Sequence, residues 1–177
     1  MIKLLDSKKI FNKANSLIKT YCTRNPIEIA EATGIQIFFV DYFKDLLGMY
    51  ANQWRTRAIF LNNRMDEYLT LMVAAHELGH DIFHRENAKK EGLQEFELFR
   101  MYTPIEYEAN AFASHLLIDT DECLSLAKEG YDVASIAKIT NSEINLILIK
   151  LQEMQRLGYD IHPNMTPNSK FFKKIKA

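Results

Sequence analysis

The sequence lacks the features of a disulfide-stabilised secreted protein or a membrane protein. Its 177 residues include only two cysteines, Cys22 and Cys123, and these form no CxxC pair. This scarcity argues against a disulfide framework and a thiolate metal site, and it is typical of a reducing cytosol. No apolar run reaches the roughly 20 residues that cross a bilayer, and the first residues do not form a signal peptide. We therefore expect a cytoplasmic protein with no membrane association.

The sequence also lacks a strong charge of either sign. Its formal net charge is -1, so the overall electrostatics favour neither nucleic acid nor an anionic membrane as a partner. The local exception is a basic tail at 161–177, where lysines surround Phe171 and Phe172. We interpret this tail as a solvated terminus rather than a docking element. With 47% hydrophobic and 25% charged residues, the chain can bury the core of one compact domain.

The order of the periodic segments predicts an α+β fold, in which a small N-terminal sheet is followed by helices. A helix at 7–21 and a short helix from Pro26 precede three short strands, and the later segments have helical spacing. The predicted strands are 35–40, 48–52 and 58–61, and the later helices are 66–84, 104–118, 120–129, 133–138 and 142–157. Residues 85–103 are charged and lack a clear period, so we expect a loop or a broken helix there.

The long apolar helix contains the sequence His76-Glu77-Leu78-Gly79-His80, whose spacing suits a metal site. Four residues turn a helix by about 400°, so the two histidines lie about 40° apart on one face and about 6 Å apart along the axis. Both imidazoles can then reach one tetrahedral metal ion at about 2.0–2.1 Å. Glu77 can hold a water molecule beside the metal, take its proton as the water attacks a carbonyl, and pass the proton to the leaving amine.

The alternative is a chance match in an ordinary helix. The apolar residues around the motif bury one side of this helix, which leaves two histidines and a glutamate on the other side without a packing role. Gly79 costs about 1 kcal/mol relative to alanine in a helix interior, so its presence indicates close packing or the approach of a substrate. Both observations favour the metal site.

A third ligand should come from the helix predicted at 104–118. Glu106 and Asn110 are four residues apart and can face the same site, so Glu106 can bind the metal while Asn110 orients a histidine through its other ring nitrogen. Glu108 points to a different side of the helix and is the less favoured ligand; we expect it at the surface or behind the ligands. His84 lies one turn beyond the motif, out of reach of the metal, and is interpreted as a cation at the helix C-terminus.

These two motifs together resemble the ImmA/IrrE family of metallopeptidases, and the resemblance covers most of residues 26–160. The matching positions are the HELGH motif at 76–80, the segment from Pro26 to Ile35, and Glu106, Ala109, Asn110, Phe112, Ala113, Leu116 and Leu117. The resemblance implies a compact zincin-like domain of the minimal gluzincin type. It also implies that zinc is held by His76, His80 and Glu106, and that Glu77 is the catalytic base. Two histidines and a carboxylate accept several divalent ions, so Mn²⁺ and Fe²⁺ are not excluded.

The sequence departs from the family pattern in two places. The family often has a proline shortly after the Leu-Leu pair, where this chain has Ile118-Asp119-Thr120. His115 stands where an acidic residue is common, and we expect it to be a partly exposed helix residue rather than a catalytic one. Neither departure touches the predicted ligands.

Members of this family typically inactivate a helix-turn-helix transcriptional repressor by cleaving it, and they are associated with mobile genetic elements and stress responses. The resemblance therefore implies a zinc-dependent endopeptidase that acts as an anti-repressor. The alternative is a metal-containing module that binds and sequesters a repressor without cutting it. Glu77 favours catalysis, because metal binding alone does not require it. The strand at 48–52 could pair with an extended substrate as an edge strand.

We divide the chain into a metallopeptidase core at 1–118, a helical C-terminal part at 119–160 packed on the core, and the basic tail at 161–177. The helical part resembles a degenerate helix-turn-helix. A DNA-reading helix needs Arg, Lys, Asn or Gln to meet phosphates and base edges. The candidate helix at 142–157 is mostly aliphatic from Ile144 to Leu151, and Lys150 is the one cation of that stretch. We expect this helix to pack in the core or dock a repressor, and we do not expect direct DNA binding.

Overall fold

A computed structural model of the chain describes residues 6–54, 56–89, 93–95 and 103–161. The strands in this part are β1 (Gln36–Val40), β2 (Gly48–Gln53), β3 (Thr56–Asn62) and β4 (Leu93–Glu95). The helices are α1 (Ser7–Tyr21), α2 (Pro26–Ala32), α3 (Glu67–Phe83), α4 (Pro104–Leu117), α5 (Thr120–Lys128), α6 (Val133–Ile139) and α7 (Ile144–Arg156). The predicted α+β class is confirmed, and the architecture is compatible with a compact zincin-like domain. None of the described helices is long and apolar enough to cross a lipid bilayer.

The four strands form one mixed sheet in the order β1-β3-β2-β4. Strand β1 is parallel to β3, whereas β2 is antiparallel to both β3 and β4. Because Gly48–Tyr50 of β2 pair with β4, the expectation that this strand could pair with a substrate as an edge strand is wrong for these residues. The prediction of a loop or broken helix is also wrong at Leu93–Glu95. Three residues are too few to show the alternation of apolar and polar side chains that is typical of a strand. This segment is a strand because it pairs with β2, which its own sequence does not reveal.

Helix α3 is enclosed by the sheet on one side and by α4 on the other. Side chains alternate along β3: Ile59 and Leu61 are fully buried, while Phe60 lies on the other face and stacks on Phe38 of β1. Every residue of α3 from Met72 to Asp81 is buried. Because both faces of this stretch are covered, its polar residues His76, Glu77, His80 and Asp81 are buried together with its apolar ones.

Polar caps determine where the two central helices begin. The Asp66 side chain accepts a hydrogen bond from the Leu69 amide at 2.7 Å, as expected for the N-cap of α3. Thr103 caps α4 by accepting from the Glu106 amide at 3.3 Å, and Pro104 occupies the first turn. Because the residue at which a helix begins helps to determine the direction in which each of its side chains points, these caps help to orient the predicted ligands.

A buried polar cluster joins α4 to α7. Lys150 is fully buried; its Nζ lies 3.1 Å from His115 Nδ1 and donates to Thr120 Oγ1 at 2.8 Å. Glu153, also fully buried, accepts from the Tyr107 hydroxyl. His115 is only 1% exposed, so the expectation of a partly exposed residue is wrong.

Two consequences follow from the position of this cluster. His115 lies nine residues after Glu106, which is half a turn round the helix, so it faces away from the predicted ligands. Lys150 has no exposed surface with which to contact phosphate. Helix α7 therefore contributes core to the described structure. The division at residue 118 stays a prediction, and residues 162–177 of the predicted tail lie outside the described part.

The environment of His115 predicts a pH dependence of stability. Burial, and secondarily Lys150, lower the pKa of His115 to about 3 from an ordinary 6.5. Between these values the unfolded chain binds a proton that the folded chain does not, so the free energy of unfolding should fall as the pH falls. One such group contributes about 1 kcal/mol per pH unit. Urea unfolding of the metal-free protein between about pH 7 and 4.5 should show a smaller fall for His115→Gln than for wild type. An equal fall would contradict the assignment.

Candidate metal centre

Helices α3 and α4 bring three metal-binding side chains together. One donor atom from each of His76, His80 and Glu106 lies within 4.8 Å of the other two. Glu106 Oε2 is 3.2 Å from His76 Nε2 and 3.6 Å from His80 Nε2, and the two Nε2 atoms are 2.9 Å apart. Two imidazole nitrogens and a carboxylate oxygen are a donor set that zinc and related divalent ions accept.

His76 and His80 both direct Nε2 towards Glu106 and Nδ1 away from it. His76 Nδ1 lies 2.8 Å from Asn110 Oδ1, which is the contact that the predicted orienting role of Asn110 requires. His80 Nδ1 lies 3.0 Å from His84 Nδ1. The Nε2 atoms are thus left for a metal, and the Nδ1 atoms are engaged by side chains behind them.

His84 and Glu108 contact each other, which the sequence did not predict. His84 is the C-cap of α3, at the helix end as expected, but it is buried, with 4% of its surface exposed. Its Nε2 lies 2.8 Å from Glu108 Oε2, and Glu108 is 5% exposed. The surface position considered for Glu108 is therefore wrong, and the carboxylate lies behind the ligands. The i, i+4 spacing of His80 and His84 was the signal that could have revealed this arrangement.

The local electrostatics suit metal binding. Burial, and secondarily His76, lower the pKa of His80 to about 4, which keeps the imidazole neutral near pH 7. Burial alone would raise the pKa of Glu106, but hydrogen bonds and charges from His76 and His80 outweigh it and hold that pKa well below its usual range. A neutral imidazole and an ionised carboxylate are the forms that bind metals.

Glu77 is fully buried and lies next to the first residue of β2. A Cβ atom on Gly48 would come within 2.9 Å of Glu77 Oε1 and 2.4 Å of Val73 Cγ1. Glycine is therefore required at this position for the strand to approach the helix so closely. Sequence reasoning missed the role of Gly48, although an isolated glycine in a predicted strand is a known sign of close approach.

A separate network lies next to His80, around Asp81. The Asp81 carboxylate accepts hydrogen bonds from the Tyr50 hydroxyl at 2.7 Å, from Arg57 at 2.9 Å and from Arg85 at 2.8 Å. Tyr50 and Arg57 lie on β2 and β3, and Arg85 follows the C-cap of α3, so the carboxylate ties α3 to the sheet. None of these contacts involves the predicted ligands.

Gly79 marks the closest approach of α3 and α4. A Cβ atom at this position would lie 3.1 Å from Ala109 Cα and 3.2 Å from both Ala109 O and Phe112 Cδ1. Of the two explanations that the sequence allowed for Gly79, the structure shows close packing. Gly79 precedes His80 by one residue and Ala109 follows Glu106 by three residues. Their contact therefore helps to set the distance between these two predicted ligands.

The Gly79 contact predicts a destabilising Gly79→Ala substitution. In an open helix this change would stabilise by about 1 kcal/mol, but the methyl group would here press on the backbone of α4, which cannot move aside as a side chain can. We expect a loss of about 1–3 kcal/mol in the free energy of unfolding, measured by urea denaturation of the metal-free protein. A gain in stability, as helix propensity alone predicts, would contradict the close contact.

Comparison with known proteins identifies the family. The Peptidase_M78 family model, described as the IrrE N-terminal-like domain, matches residues 30–152. The chain is 33% identical over 102 residues to "Uncharacterized immunity region protein 2" of Bacillus phage phi105, covering 58% of this chain and 63% of that protein. It is 29% identical over 148 residues to "Metallopeptidase ImmA" of Bacillus subtilis (strain 168), covering 80% and 83%. The chain therefore belongs to the ImmA/IrrE family of metallopeptidases.

Proposed function

We propose that this chain is a zinc-dependent endopeptidase, with His76, His80 and Glu106 as metal ligands and Glu77 as general base. The observation that carries the proposal is the convergence of the three donor atoms within 4.8 Å. Three ligands from two helices leave a position open for water or substrate, which is the pattern of catalytic rather than structural zinc sites. The same donors would also accept Mn²⁺ or Fe²⁺.

The chemistry divides between the ion and the protein. When bound, the ion supplies Lewis acidity, which polarises a carbonyl group and makes water more acidic. Glu77 follows His76 on the same helix and is fully buried, so its carboxylate can take a proton from water as the water attacks the peptide carbonyl. The same carboxylate then gives the proton to the amine that leaves. Burial keeps competing bulk water away from this transfer.

We propose a helix-turn-helix transcriptional repressor as the substrate, cut at one peptide bond in the cytoplasm. Support comes from the family, whose members typically inactivate such repressors, and from the similarity to a protein of a phage immunity region. The role would then be that of an anti-repressor of a phage or mobile element. Direct binding to DNA is not part of the proposal, because Lys150 of α7 is buried and Arg156 is paired with Glu153 and Tyr107.

The second candidate function is sequestration of the repressor without cleavage. Such a module would need the metal site at most as a structural element. The presence of a buried glutamate directly after the first ligand favours catalysis, since structural zinc sites have no need of a general base. The two functions predict different behaviour of a Glu77 variant.

Metal content tests the ligand assignment. Purified wild type should contain about one zinc per chain by mass spectrometry, and Glu106→Ala should lose most of it because one of three protein ligands is gone. Glu122→Gln, an exposed residue of α5, is the control and should match wild type. Glu108→Ala should still bind one zinc when zinc is in excess. Loss of metal in Glu108→Ala together with retention in Glu106→Ala would reverse the assignment of the third ligand.

Repressor cleavage tests the general base. Glu77→Gln keeps the shape of the side chain but cannot accept the proton, so it should retain zinc while the cleavage rate falls by about 10²–10⁴-fold. Fragments of the cognate repressor are measured by mass spectrometry, with Glu67→Gln in the exposed first turn of α3 as the control. Undiminished cleavage by Glu77→Gln would remove Glu77 from the mechanism. Tight repressor binding without any cleavage by wild type would favour sequestration.

A further inference from the structure

The ring of His80 is the first member of a buried series of side chains that runs away from the metal site. Its Nδ1 lies 3.0 Å from His84 Nδ1, and His84 Nε2 lies 2.8 Å from Glu108 Oε2. His84 and Glu108 are each 5% exposed or less. The series therefore includes a carboxylate that is held inside the protein, 24 residues away in sequence from the histidine it contacts.

Only one placement of protons is consistent with a metal on His80. His80 would hold a metal through the lone pair of Nε2, the nitrogen that faces Glu106, so a neutral ring would carry its proton on Nδ1. That proton is donated to His84 Nδ1, which must therefore be unprotonated. His84 then carries its own proton on Nε2 and donates it to the Glu108 carboxylate. Each hydrogen bond in the series fixes the direction of the next.

We propose that His84 and Glu108 are positioning residues that hold His80 in its metal-binding tautomer and orientation and that strengthen its bond to the ion. The inference rests on the proposed function for the identity of the ligands. A carboxylate behind a ligating imidazole stabilises the positive charge that the ring acquires when it donates to a metal. Here the carboxylate acts through a second imidazole.

The two ligating histidines are supported in different ways. The ring of His76 contacts the neutral amide of Asn110 at 2.8 Å, whereas the series behind His80 includes the carboxylate of Glu108. The rings of Phe83 and Phe112 pack edge to face, with their centroids 5.8 Å apart. The centroid of the Phe83 ring lies 6.2 Å from that of the His84 ring. Apolar neighbours keep the local dielectric low, so the charge of Glu108 acts more strongly than it would in water.

Zinc affinity, measured by competition with a chelating dye, tests the inference without reference to peptidase activity. Glu108→Gln removes the charge but keeps a side chain of the same shape, and His84→Phe removes both hydrogen bonds but keeps a planar ring. Each variant should bind zinc about 10- to 100-fold more weakly than wild type. Asp81→Asn is the matched control, because it alters a buried carboxylate next to His80 that contacts Tyr50, Arg57 and Arg85 instead. It should lower stability and leave zinc affinity within about threefold of wild type.

The possible results separate the two proposals. Unchanged zinc affinity in Glu108→Gln, or an equal loss in Asp81→Asn, would overturn the inference and leave the proposed function intact. Failure of wild type to bind any divalent ion would overturn the proposed function itself. If a variant does not fold, nitrogen NMR of the zinc-loaded wild type decides: the inference requires the proton on Nδ1 of His80 and on Nε2 of His84. The opposite tautomer at His84 would overturn it.

Discussion

The backbone contact between α3 and α4 is the constraint on which the candidate site depends. Gly79 allows the two helices to approach until a single added carbon would lie 3.1 Å from Ala109 Cα. Both histidines and the proposed base lie on one side of this contact, and the carboxylate and amide that complete the site lie on the other. Distances between metal ligands tolerate only a few tenths of an ångström, so a looser pair of helices would not bring the three donors together.

The polar residues inside this pair of helices are supported by one another. Isolated polar groups are costly to bury, yet α3 contains two histidines, a glutamate and an aspartate that are all nearly inaccessible. Asp81 is stabilised by donors from the sheet. The ring of His76 contacts Asn110 of α4, and the ring of His80 contacts His84, which in turn contacts Glu108 of α4. The helix can therefore have an apolar surface towards the core and still present ligands at its interface with α4.

Much of this architecture was predictable because its determinants are local. Asp66 and Pro104 mark the starts of the two central helices, and spacing of four residues brings together His76 with His80 and Glu106 with Asn110. The features that were not predicted depend on distances between segments remote in sequence. Strand β4 exists through its pairing with β2, and the burial of His84 depends on where α4 comes to lie. The exposure of His115 was misjudged because α7, 35 residues away along the chain, covers it.

The polar cluster under α7 also limits how that helix can lie. Most of its inward side chains are aliphatic, and aliphatic surfaces pack almost equally well after a slide along the neighbouring helix. Lys150 and Glu153 lie three residues apart and must meet His115 and Tyr107 at the same time. A slide of one turn, about 5.4 Å, would separate Glu153 from Tyr107 and leave the buried Lys150 without its partners His115 and Thr120, at a cost of several kcal/mol. The cluster therefore favours one register of α7 along α4 over the neighbouring registers. Apolar contacts alone would not distinguish between these registers.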